Sequence, residues 1–230
     1  MRVVTGKTSQ TMAAAEFRRL ASGYATCWLD VGAGDGALSY RLAGDFPDVL
    51  CLGLDPNAEA MASQARRARR KPDRGGRANC LYVAAAVEAP PAELAGLARA
   101  ITINFPWARL LEIVLGAGDD APAALAEPLA ALAAPDCAVQ LLLNEITDLP
   151  AVPAVEPATL ADRLAPAFTA TGFQVDAAGW LATDARVRSR WGGRLIRGSG
   201  RRVVRLRATR GGPGDRALAI LDAVAPEPGR

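Results

Sequence analysis

Histidine is absent from the 230-residue chain. Its absence removes Ser-His-Asp and Cys-His nucleophilic machinery and the commonest metal ligand together. Cysteine is sparse as well. Cys27, Cys51, Cys80 and Cys137 lie far apart, and no Cys-x-x-Cys pair exists. Neither a zinc cage nor any other metal site is expected, and the thiols read as reduced side chains of a cytoplasmic protein. No apolar run reaches the roughly 18 residues that span a bilayer. Met1 to Lys7 lacks the apolar core of a signal peptide, so no membrane partner is expected. Aromatic residues make up only 5% of the chain, which singles out Trp28, Trp107, Trp180 and Trp191. Lysine occurs twice, against 25 arginines.

What is present is ordinary for a folded chain: 50% apolar and 22% charged residues, enough for one α/β domain with a sizeable core. The net charge of +3 hides a strong segregation. Residues 66 to 77 carry Arg66, Arg67, Arg69, Arg70, Lys71, Arg74 and Arg77 against Asp73 alone, a local +6. Residues 186 to 210 carry ten arginines and no acid, while the remainder sums to −13. A GC-rich genome explains arginine in place of lysine but not the clustering. A basic face for a polyanion, nucleic acid above all, is the expected consequence.

The apolar pattern alternates between strand-like runs and helical spacings. Runs at Thr26 to Val31, Val49 to Leu54, Cys80 to Ala86, Ala100 to Phe105 and Ala138 to Leu143 are separated by helical patterns such as Ala37 to Phe46 and Asn57 to Arg70. Such alternation predicts a mostly parallel sheet with helices on both faces. Residues 1–210 read as one domain. Residues 211–230, Gly/Pro-rich around one short apolar helix at Ala217 to Val224, read as a flexible or loosely docked tail. Trp28 and Trp180 lie within strands and read as packing residues.

The first strand runs into Asp30-Val31-Gly32-Ala33-Gly34-Asp35-Gly36, which opens the first helix of the core. Glycines there allow a tight turn and close approach of a ligand to the backbone. Asp55 ends the second strand 19 residues after Gly36, where a carboxylate can accept both ribose hydroxyls. The spacing alone also fits a dinucleotide fold. However, Asp30 and Asp35 flank the turn and would repel a pyrophosphate. They suit a cationic ligand such as the ammonium and sulfonium of S-adenosylmethionine. A purely structural turn in another doubly wound fold is the remaining reading.

That motif, with Asn104-Phe105-Pro106-Trp107 ahead of Leu110-Leu111 and Ser189-Arg190-Trp191-Gly192-Gly193-Arg194-Leu195, resembles the aminoglycoside-resistance methyltransferases acting on N1 of adenine 1408 in 16S ribosomal RNA. The resemblance runs from roughly Val4 to Ala208. It implies a Rossmann-like class I methyltransferase with a seven-stranded, mostly parallel sheet and a short N-terminal β-hairpin within residues 1–20. It implies S-adenosylmethionine as cofactor and the 30S subunit as partner of a monomeric enzyme, with Trp107 and Trp191 holding a flipped base. Ser189 would lie near the methyl donor's amino-acid end or the base. Ala86, Val87 and Glu88 would line the donor's adenine, and Asn104 joins Asp30, Gly32, Gly34, Asp35 and Asp55 at the cofactor. Arg66, Arg67, Arg70, Lys71, Arg194 and Arg201 are the expected RNA contacts. After Phe-Pro-Trp the family commonly has a small Gly-Ser/Thr pair, where this chain has Ala108-Arg109. The alternatives are transfer to another RNA, or an RNA-binding homologue with weak or no turnover.

Overall fold

The computed structural model describes residues 1–115, 121–146, 155–182, 185, 187–188 and 201–225. In chain order its elements are β1 (Arg2–Val4), β2 (Ser9–Thr11), α1 (Ala14–Ala21), β3 (Thr26–Val31), α2 (Ala37–Asp45), β4 (Val49–Asp55), α3 (Ala58–Ala68), β5 (Cys80–Ala84), β6 (Ala98–Asn104), α4 (Ala108–Leu115), α5 (Ala121–Leu132), β7 (Ala133–Asn144), α6 (Pro157–Ala170), β8 (Gln174–Trp180), β9 (Val203–Thr209) and α7 (Asp215–Val224). Among these residues no helix is long and apolar enough to cross a membrane.

The sheet has the order β2-β1-β5-β4-β3-β6-β7-β9-β8. Strands β5, β4, β3, β6 and β7 run parallel, and β9 is antiparallel to both β7 and β8. These seven are the expected core. The hairpin does not stand apart from it: β1 pairs antiparallel with β5 through Val3 and Val83, so the sheet is continuous over nine strands.

Local sequence explains the elements. All six residues of β3 are buried, as a central strand covered on both faces requires. Helix α3 starts where Asn57 accepts the Ala60 N–H at 3.1 Å, satisfying one of the leftover donors of its first turn. Helix α6 stops where Gly172 takes a φ of 85°.

One face of the sheet packs Leu29, Leu52, Ile101 and Leu141 against α1, α4, α5 and α6. The other packs Trp28, Cys51, Ala100 and Leu142 against α2, α3 and α7. Trp28 is fully buried there and is a packing residue. Trp180 also packs against the core, but only half-buried at the end of the edge strand, with the Arg202 guanidinium 3.8 Å from its ring centroid.

The C-terminal segment departs from the expected loose tail. Ala217, Ile220, Leu221 and Val224 are buried against the sheet, because their spacing makes one continuous apolar stripe. The same helix covers one face of β9. Val204, Leu206 and Ala208 face the core as their alternation predicts, but Arg207 on the opposite face is covered by α7 and pairs with Asp222 at 2.6 Å.

Candidate active site

Strand order reverses at β3, which is flanked by β4 on one side and β6 on the other. Connections leaving the carboxyl ends of these strands diverge, and the crevice between them is where open α/β sheets bind ligands. The turn lining it needs its glycines for three reasons. Gly32, Gly34 and Gly36 have φ of 72°, 57° and 71°, the left-handed region. A Cβ on Gly32 would lie 2.7 Å from Leu110 Cδ2, and one on Gly36 2.3 Å from Tyr82 Cε1, so both are fixed by packing. At Gly34 nothing lies within 4 Å, and its backbone faces open space.

Asp55 holds this turn in place. Its Oδ2 accepts the Gly34 N–H at 2.9 Å and its Oδ1 accepts the Asn57 N–H at 2.8 Å. Each carboxylate oxygen keeps a further lone pair for a ligand hydroxyl. Asp35 lies exposed at the turn's outer edge, and its Oδ1 accepts the Ala37 N–H at 2.9 Å.

Asp30 is buried, at 2% exposure. Thr102 Oγ1 and Asn104 Nδ2 both donate to its Oδ1 at 2.9 Å. Burial pushes its carboxyl up to about 7, despite those two hydrogen bonds, and the nearby charges of Asp55 and Asp35 push the same way. Asn104 therefore stands between Asp30 and the crevice. Its own Oδ1 is buried and has no partner among the described residues. A buried acceptor left open is costly unless a donor arrives to fill it. An orphaned acceptor, two flanking carboxylates and the open cradle at Gly34 together fit a ligand carrying an ammonium group and a ribose.

The connection after β6 is bent against its own preferences. Phe105 and Ala108 have φ of 53° and 49°, a conformation costing roughly 1–3 kcal/mol for residues other than glycine. Phe105 is buried and donates its N–H to Leu142 O at 2.8 Å, so the rest of the fold enforces the bend. Between them Trp107 projects from the rim with 83% of its surface exposed, the one large apolar side chain among the described residues in that state.

Beyond β5, Val87 is buried, Ala86 is half-buried and Glu88 is exposed. Glu88 Oε1 lies 3.8 Å from Arg109 Nε at the start of α4, so the two sides of the crevice meet in an ion pair. The Arg109 guanidinium also reaches Glu112 at 3.4 Å.

The basic residues on α3 lie apart from this rim. Arg66, Arg67, Arg70 and Lys71 are all exposed around its C-terminal end. Its 11 residues carry them about 16 Å from the strand ends. Arg67 lies over the Tyr40 ring at 4.3 Å, which holds its stem while leaving the charge in water. The charge runs did not reveal Lys7, exposed on the hairpin turn where a Cβ added to Gly6 would lie 3.6 Å from Arg66 Cβ. Arg201 is half-buried, and Arg202 is held by Glu145 Oε1 at 2.6 Å as well as by Trp180. Ser189, Trp191 and Arg194 lie outside the described residues.

Comparison with known proteins shows the family and the fold. A family model described as NpmA: 16S rRNA (adenine(1408)-N(1))-methyltransferase matches residues 2–210. A 16S rRNA (adenine(1408)-N(1))-methyltransferase of Streptoalloteichus hindustanus is 34% identical over 203 residues, covering 85% of this chain and 92% of the relative. The crystal structure of the antibiotic-resistance methyltransferase Kmr is 38% identical with a TM-score of 0.77, over 93% of this chain and all of that one. A variant 16S rRNA (adenine(1408)-N(1))-methyltransferase from Catenulisporales acidiphilia, solved with cosubstrate SAM, is 30% identical with a TM-score of 0.79, over 94% of this chain and 99% of that one.

The burial of Asp30 has a measurable consequence. Its carboxyl titrates at about 7 in the folded chain, against 3.8 in an unperturbed one. Between those values the folded state holds the extra proton, so this contribution to stability is full at low pH and is lost as pH rises through 7. Asp30→Asn keeps an acceptor for Thr102 and removes the titration. Urea unfolding should show the variant gaining on the parent chain between about pH 5 and about pH 8. An equal difference at both pH values would mean that Asp30 is ionised throughout.

Proposed function

Because the chain belongs to the 16S rRNA (adenine(1408)-N(1))-methyltransferase family, we propose that it methylates N1 of adenine 1408 in the assembled 30S subunit and so confers aminoglycoside resistance. The observation that carries this reading is Trp107, exposed on a strained turn beside the open Asn104 acceptor.

The chain is an S-adenosylmethionine-dependent enzyme by family. When bound, the cofactor supplies an electrophilic methyl on a sulfonium. Asp55 would accept the ribose hydroxyls from the end of β4. Gly32 and Gly34 would let the amino-acid portion lie against the backbone, and Asn104 Oδ1, with Asp30 behind it, would receive the ammonium. Val87 and Ala86 would pack against the adenine, with Glu88 at its edge. An adenine within a helical stack cannot reach this crevice, so the target base must be extruded. Trp107 and Trp191 would hold it, each stacking contact being worth roughly 1–3 kcal/mol, with Ser189 beside it.

N1 of neutral adenine has a free lone pair, so no side chain has to remove a proton. A chain without histidine is therefore equipped for this chemistry. Its work is alignment of lone pair and methyl in line. The indole faces favour the cationic product ring by about 0.5–2 kcal/mol. Arg66, Arg67, Arg70 and Lys71 would dock a different stretch of RNA backbone, and Arg194 and Arg201 would act nearer the base.

One observation favours a weaker enzyme: Arg109 engages Glu88 across the crevice, where the family commonly has a small pair of residues. Primer extension on 16S rRNA from treated 30S subunits decides between the readings. N1 methylation blocks pairing, so the parent chain should produce a stop beside adenine 1408. Trp107→Ala and Trp191→Ala should each abolish that stop while 30S binding and the circular dichroism spectrum persist. A stop retained by both variants would remove the tryptophans from the site.

Phosphate contacts should make 30S affinity fall steeply with salt. Reversing charge at both Arg67 and Arg70 should weaken binding and flatten that slope without changing S-adenosylmethionine affinity. Identical slopes and affinities for the two proteins would show this face to be merely solvated.

A further inference from the structure

Helix α7 lies beyond residues 2–210 that the family model matches. It is nevertheless fastened with unusual specificity. Its apolar stripe covers the part of the sheet that α2 and α3 leave open, next to Trp28, Ala100 and Leu142. Beneath it the buried side chain of Gln140 donates to Leu221 O at 3.3 Å and accepts from Arg207 Nε at 3.0 Å. Arg207 in turn pairs with Asp222. At its other end, Arg216 Nε donates to Asp48 Oδ2 at 3.0 Å, with the guanidinium over the Phe46 ring.

The last carbonyls of a helix have no partner within it. In α7 one of them, Val224 O, accepts the N–H of Arg188 at 3.0 Å. The Arg188 carbonyl accepts from Arg41 of α2, and its guanidinium pairs with Asp45 at the end of the same helix. Arg188 is thus held at its amide, its carbonyl and its side chain. In the sequence it stands directly before Ser189, Arg190 and Trp191.

We propose that α7 is a positioning element for the substrate-facing segment that begins at Arg188. By fixing that residue between its own C-terminus and α2, it sets where Ser189 and Trp191 start relative to the crevice. The role assigned to that segment rests on the function proposed above; the anchoring itself does not.

The test is a truncation after Leu221, which removes the Asp222 carboxylate and the Val224 carbonyl but keeps Ala217, Ile220 and Leu221. A truncation after Ala225 is the control. Two readouts are independent of each other: the rate of tryptic cleavage at Arg186, Arg190, Arg194 and Arg197, and methylation of 30S subunits at saturating S-adenosylmethionine. The shorter chain should be cut at least about fivefold faster and methylate at least about fivefold more slowly, the factor for the lost Arg188–Val224 hydrogen bond alone. Its S-adenosylmethionine affinity should stay within about twofold of the control's. Unchanged cleavage overturns the proposal, as does a parallel loss of cofactor affinity, which would mean general damage. Faster cleavage with no methylation by even the full chain would condemn the functional reading and leave the anchoring intact. Should the truncated chain fail to fold, Arg188→Pro, which removes the anchored N–H and the side chain paired with Asp45 and restricts the backbone at Val187 and residue 188, is judged by the same readouts.

Discussion

A carboxyl group buried in the middle of a β-sheet must be satisfied from within the sheet. Asp30 is such a group, and the strands beside it are built to accommodate it. Thr102 lies opposite it on β6, Gln140 lies opposite Thr102 on β7, and Arg207 lies opposite Gln140 on β9. These four form one polar row across a face that also carries the apolar Trp28, Cys51, Ala100 and Leu142. A one-residue slip at any pairing would turn a member of the row into the apolar layer beneath α4 and α5, so the row also specifies register. One end of it reaches the crevice through Asn104, and the other reaches α7 through Asp222.

The rim above this row divides its labour. Asp55 spends its hydrogen bonds on shaping the turn that a cofactor approaches. The connection after β6 stores strain at Phe105 and Ala108 and exposes Trp107 in return. The basic surface on α3 and the hairpin stands a helix length away, which suits a partner as large as a ribosomal subunit. Under the proposed function, shape recognition through backbone phosphates and chemistry at one base would use separate parts of the molecule.

Much of this was legible in the sequence because it rests on local rules. Glycines at a strand-to-helix turn, an acid at the end of the next strand and a tryptophan after a proline at a strand end each carry their reason with them. The parallel core followed from alternation of strand and helix patterns. Other features depend on what packs over a residue, which periodicity does not contain. Arg205 and Arg207 alternate with apolar neighbours and read as a solvent-facing row, yet α7 covers Arg207. The helix itself is flanked by glycine and proline and reads as a loose end, although its apolar stripe finds the uncovered part of the sheet. The place of Asp30 in the motif is legible, but its depth and the donors that Thr102 and Asn104 turn toward it are not. Trp180 reads as a packing residue and does pack against the core, but nothing in β8 announces that Arg202 will lie on its ring.

The central claim is that the crevice where strand order reverses is an S-adenosylmethionine site held by Asp55 directly and by Asp30 through Asn104. Titration calorimetry of the full chain with S-adenosylmethionine tests it most directly. The account predicts one site, with Asp55→Ala and Asp30→Ala each weakening binding by about tenfold to a hundredfold, the range expected when a charge-assisted contact is lost. Unchanged affinity in both variants would contradict it.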